Sequence, residues 1–171
     1  TSIDAGANDS GANWSTQSNQ PTAQMYRVSI DNDFPFRLLG GQQDNSAVRI
    51  RSRSALGRAI GERDWEPTAG GESGHIVADP DNPDVVYGGS YGGFITRYDR
   101  ATGQERSIEA WPAVAVGMPA RDLEYRFQWN APIRISPHDP SVLYHCSNVV
   151  HGRTDEGRTC EVISTELGRD G

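Results

Sequence analysis

Lysine is absent from this chain, cysteine occurs only twice, and no long apolar run interrupts its 171 residues. All 16 basic residues are therefore Arg, set against 23 acidic residues for a formal charge of -7. A net acidic chain with dispersed Arg lacks the continuous positive surface that tracks a phosphate backbone, so no nucleic-acid partner is expected. The most apolar stretch, "AWPAVAVGMPA", is broken by Pro112 and Pro119 and falls short of the roughly 18 residues that a membrane helix needs. The opening "TSIDAGANDSG" has no initiator Met, charged n-region or apolar h-region, and is read as either a processed end or an internal piece. Cys146 and Cys160 match no zinc spacing and allow at most one disulfide. A free or strand-buried thiol pair is the favoured reading.

What the chain does have is turn chemistry. Gly (19) and Pro (10) are plentiful, the hydrophobic fraction is 35% and mean hydropathy is -0.64. No window carries a sustained helical apolar stripe, which indicates short strands joined by many turns. Three segments repeat: "VSIDNDFPFRLLGGQ" (28–42), "VADPDNPDVVYGGS" (77–90) and "RISPHDPSVLYHCS" (134–147). Each reads as strand, Pro-containing turn, strand. Their shared prolines, Pro35, Pro83 and Pro140, are spaced 48 and 57 residues apart, a period suited to blades of several short strands rather than to helical repeats. The expected fold is an all-β partial propeller of about three four-stranded blades. The whole chain 1–171 would be an arc of a larger ring, with units 24–70, 72–125 and 129–171 and the end of a preceding blade in 1–23, the remaining blades being its partners. The insertion 110–126 accounts for the longer second period and is read as a surface loop.

The acidic cluster Asp79, Asp81, Asn82, Asp84 invites a calcium reading. An EF-hand loop needs Gly at its sixth position and Glu at its twelfth, where Val85 and Ser90 stand instead. Asp, Asn and Pro each favour turns, and a turn is expected here. Glu72 and His75 have no third ligand in register, so no metal is assigned. Nothing calls for a cofactor.

Two segments, "ANDSGANW" (7–14) and "RTDEGRTC" (153–160), place Asp, then Gly two residues on, then a large or apolar residue three beyond. These resemble the Asp-box of bacterial neuraminidase repeats. Ala7 and Arg153 replace its hydroxyl residue and Cys160 its Trp; "TRYDRATGQ" (96–104) is a weaker relative. With "NQPTAQMYRVSIDN", "GGQQDNSAVRIRSR" and "YRFQWNAPIRISPHDP", the chain resembles bacterial sortilin-like Asp-box propellers, often catalogued as glycosyl hydrolases. That resemblance implies an extracytoplasmic protein and either a glycosidase acting on a polysaccharide or glycoconjugate, or a non-catalytic propeller holding a peptide or protein in its channel.

In a propeller the innermost strands line the channel and the loops entering it form the binding face. Equivalent positions ahead of the three repeats carry Gln24, Glu72 and Trp129, with Tyr26, Arg27, His75, Arg126, Gln128 and Asn130 nearby. The loops after the second strands supply Gln42, Gln43, Asp44 and Asn45 in one unit and Tyr91 in the next. Amides and carboxylates suit hydroxyl groups, and Trp129 and Tyr91 suit a sugar face. Asp44 and Glu72 are the carboxyl pair available for general acid and base work, with Glu72 the expected acid.

Overall fold

The computed structural model describes residues 23–57 and 59–168. Among these residues, twelve strands form three antiparallel meanders of four, in sequence order within each sheet. The first blade contains β1 (Met25–Ile30), β2 (Arg37–Gln42), β3 (Ala47–Arg51) and β4 (Trp65–Pro67). The second contains β5 (Ile76–Ala78), β6 (Val85–Gly89), β7 (Ile95–Asp99) and β8 (Gln104–Ser107). The third contains β9 (Ile133–Ile135), β10 (Leu143–Cys146), β11 (Val150–Arg153) and β12 (Glu161–Val162). The first strands of successive blades approach one another, β1 against β5 and β5 against β9, which makes them the inner strands of an open arc.

Each meander buries both faces only where it has a neighbour on each side. All five residues of β6 are buried, whereas β2 alternates at its start, with Leu38 exposed between buried Arg37 and Leu39. The core is accordingly two inter-blade layers. One joins Leu39 and Ala69 to Ile76 and Val86. The other joins Val85, Tyr87, Ile95 and Ile108 to Ile133 and Leu143. Close approach fixes one residue type: a Cβ on Gly88 would overlap the Ala69 backbone, so the second blade can seat on the first only with glycine there.

The acidic cluster is a turn. Asp79 Oδ1 accepts the Asp81 and Asn82 amides at 2.9 and 3.1 Å, and Asn82 Oδ1 accepts that of Asp84 at 3.2 Å. Its counterpart in the first blade is a buried ionic knot, in which Arg49 donates to Asp31 at 2.6 Å and Arg37 lies 3.5 Å from the same carboxylate.

The Asp-box reading is corrected. Segment 7–14 lies outside the described residues. In 153–160, Asp155 and Glu156 both take positive φ (51° and 56°), and it is the Asp155 carbonyl, not the carboxylate, that accepts from the Arg158 amide at 3.2 Å. The expected carboxylate-to-amide turn occurs instead at Asp99, whose Oδ1 accepts from Ala101 and Thr102 at 3.0 and 3.2 Å. Cys146 and Cys160 are free thiols, and burial pushes the Cys146 thiol upward.

Candidate functional site

The β2–β3 hairpin and the segments entering β5 and β9 meet at one end of the arc. The hairpin turns tightly because Asp44 and Ser46 take positive φ (60° and 63°), a conformation that a short polar Asp tolerates. Gln42 anchors it with its amide on the Ser46 carbonyl (2.8 Å), Gln43 donates its amide to the Gln24 carbonyl (2.9 Å), and Asn45 Nδ2 reaches the Gln43 carbonyl (3.3 Å). Gln24 thus contributes backbone.

Five side chains from four segments form one connected network. Trp129 Nε1 donates to the Tyr26 hydroxyl at 2.9 Å, and that hydroxyl donates to Gln43 Oε1. Gln43 Nε2 then donates to both Asp44 Oδ1 (2.8 Å) and Glu72 Oε2 (3.0 Å). The Asp44 amide completes the junction on Glu72 Oε2 at 3.0 Å. Tyr91 stacks on Trp129, with ring centres 5.0 Å apart and planes 14° apart. Ser73, fully buried, ties the segments together by donating to the Trp129 carbonyl at 3.1 Å.

Three residues beyond Glu72, His75 is half-buried at the entry to β5. Burial, then the charges of Arg134 and Arg27, push its imidazole below its ordinary value. Those two Arg side chains stand on β9 and β1, the inner strands on either side. Both guanidinium groups therefore lie within electrostatic range of the His75 imidazole, three residues along the chain from Glu72.

Not all the expected residues join this network. Arg126 pairs with Glu166 at 2.8 Å and gives its amide to Asn148 at 2.8 Å. With Gln128 and Phe127 it lines a separate open groove of about 430 Å³. Asn130 leaves a buried side-chain oxygen without a partner among the described residues.

No protein-family model matches the chain, and neither does any curated protein. Among solved structures it is similar to that of a candidate 6-phosphogluconolactonase from Bacteroides fragilis, with a TM-score of 0.51 and 18% identity. The likeness covers 89% of this chain and 44% of that one, so the chain spans under half the length of the protein it matches. At that identity the likeness is one of fold.

These findings overturn the sortilin-like Asp-box assignment and, with it, both functions it implied, the polysaccharide glycosidase and the peptide-holding propeller. The geometry gives an independent reason on the catalytic side. A glycosidase pair leaves room for a sugar bond between its carboxyl groups, but the Gln43 amide already occupies the space between Asp44 and Glu72, holding both.

No motif in the sequence singles out His145 or His151, yet the two face each other across β10 and β11. Phe127 stacks on both rings, at 4.8 and 5.8 Å. Both are fully buried, and neither His145 ring nitrogen has a partner among the described residues. Their equal distance from Asn148 at the hairpin turn was the available signal, since a hairpin pairs residues symmetrically about its turn.

Proposed function

We propose that the channel end of this arc binds a small, hydroxyl-bearing anion, such as a sugar acid or its phosphate ester. The observation that carries this reading is the network from Trp129 through Tyr26 and Gln43 to Glu72, in which a donor from the third blade and acceptors from the first two are held together. Gln43 satisfies one oxygen of Asp44 and one of Glu72, leaving their other oxygens to accept ligand hydroxyls. The anionic end meets Arg27 and Arg134, which suit carboxylate or phosphate oxygens. The stacked Tyr91 and Trp129 offer an apolar flank for a ring or carbon chain.

Titration calorimetry with an aldonic acid, its phosphate ester and the matching uncharged polyol tests the reading. The anions are expected to bind and the polyol to bind at least tenfold more weakly. Arg134→Gln should remove most of that difference. A bound anion favours imidazolium over imidazole at His75, so affinity should rise as pH falls toward the lowered His75 value, and His75→Gln should flatten the profile. Equal binding of all three compounds, or of none, would sink the proposal. The name of the Bacteroides fragilis protein makes 6-phosphogluconolactone the first ester to include in a parallel turnover assay.

A further inference from the structure

The connection between the second and third blades, 108–132 between β8 and β9, is the longest between strands among the described residues; its counterpart between β4 and β5 runs only 68–75. Most of the excess is the insertion 110–126, which the anion reading of the channel end does not use. The insertion folds back beside the β6–β7 turn, where a Cβ on Gly92 would lie 3.7 Å from that of Ala115. Between them is a cavity of about 110 Å³. Three aromatic residues, Trp111, Tyr125 and Phe127, line it together with Met118 and the acidic Asp122 and Glu124. The rest of the lining is glycine, alanine and leucine, with no basic residue among those described.

Two of the rings are fixed from behind. Tyr125 stands edge-on to His151 with ring centres 4.6 Å apart, and Phe127 stacks on both His145 and His151. Burial pushes both imidazoles below their ordinary value, so neutral rings back this wall at neutral pH. On the acidic side, Asp122 is paired loosely, 3.7 Å from the exposed Arg121, and Glu124 forms no ion pair among the described residues. Trp111, Met118 and Glu124 are exposed, which opens the cavity to solvent.

We propose that this cavity binds the quaternary ammonium head group of a small free molecule of the choline type. A trimethylammonium group has no N–H to donate and spreads its charge over its methyl groups. It is therefore recognised by aromatic faces and soft apolar contacts with negative charge nearby, rather than by hydrogen bonds. Trp111, Tyr125 and Phe127 supply the aromatic surface, Met118 a polarisable contact, and Asp122 and Glu124 the compensating charge. A neutral apolar guest would draw nothing from those two carboxylates. The volume suits a head group alone, since drug-sized ligands occupy roughly 300–1,000 Å³.

Titration calorimetry of the whole 171-residue chain with choline, and with the isostere in which carbon replaces its quaternary nitrogen, tests this independently of the channel-end reading. Choline is expected to bind about tenfold more tightly than the isostere. Trp111→Leu and Glu124→Gln, both at exposed positions, should each weaken choline about threefold or more and leave the isostere unchanged. Arg134→Gln, aimed at the anion, should leave choline unchanged. Saturation transfer from the choline methyl protons to the Trp111 indole in the wild type locates the ligand even if a variant misfolds. Phosphatidylcholine vesicles should not co-sediment the protein, and vesicle binding in place of free choline would assign the head group to a membrane and sink the small-molecule reading. Equal affinity for choline and its isostere, no binding of choline, or a loss caused by Arg134→Gln and not by Trp111→Leu would each overturn the proposal.

Discussion

The first inter-blade layer and the second solve one packing problem with different side chains. Between the first and second blades the contact is aliphatic, Leu39 and Ala69 against Ile76 and Val86, with Gly88 letting the Ala69 backbone pass close. In the third blade the position of Gly88 is taken by His145, followed across the sheet by His151 and, two pairs further, by Arg153 opposite Leu143. Phe127, from the segment before β9, roofs the two imidazoles. A repeated backbone thus fixes where residues meet but leaves their chemistry free, and only the second layer buries titratable groups with no carboxylate hydrogen-bonded to them among the described residues.

Acid should separate the two layers most. Burial foremost, then the charge of Arg153, lowers His145 from 6.5 to about 3. The unfolded chain therefore binds a proton that the folded chain refuses. The stability linked to His145 is complete above about pH 6.5 and is lost as pH falls toward 3, on the order of several kcal/mol. Urea unfolding at stepped pH should show this slope, and His145→Phe should flatten it. An unchanged slope would mean that His145 is not the group responsible.

The first blade should answer to its ionic knot instead. Asp31→Ala strands the fully buried Arg49 guanidinium and is expected to cost about 3–5 kcal/mol by the same unfolding measurement. A cost below about 1 kcal/mol would show that water reaches Arg49. The two aliphatic cores should behave alike: Ile76→Val and Ile133→Val each remove one buried methyl, for about 0.5–1.5 kcal/mol. A clear inequality between them at neutral pH would break the equivalence of the layers. The smallest effect is expected at the channel end, where Trp129→Phe keeps the stack on Tyr91 but removes the hydrogen bond to Tyr26. The loss of stability should be about 1 kcal/mol or less, with a larger loss in binding of the anionic ligand by calorimetry.

Much of the candidate site was legible because the repeats were. Aligning Asp31, Asp79 and Ser136 places Gln24, Glu72 and Trp129 at equivalent entries to the inner strands, and the loop after β2 supplies Gln43 and Asp44. The structure joins Glu72, Gln43, Asp44, Tyr26 and Trp129 in one network. Arg126 and Gln128 were not separable from it by spacing, because the course of the chain before β9 carries them into another groove. Arg27 was legible beside Tyr26, whereas Arg134, on β9, comes within electrostatic range of His75 only once the inner strands are set side by side. The Asp-box resemblance misled because Asp-x-Gly is first of all a turn signal, satisfied at 155–157 by backbone rather than by the carboxylate.

The sequence by itself determined the all-β character, the repeat and the turns, because Gly, Pro, Asp and Asn act on the backbone within a few residues of themselves. The tertiary structure alone decided which side chains meet: Glu72 with Gln43, and Phe127 with His145 and His151. Those contacts depend on how one blade is set against the next, over separations of many tens of residues, and no local preference specifies that placement.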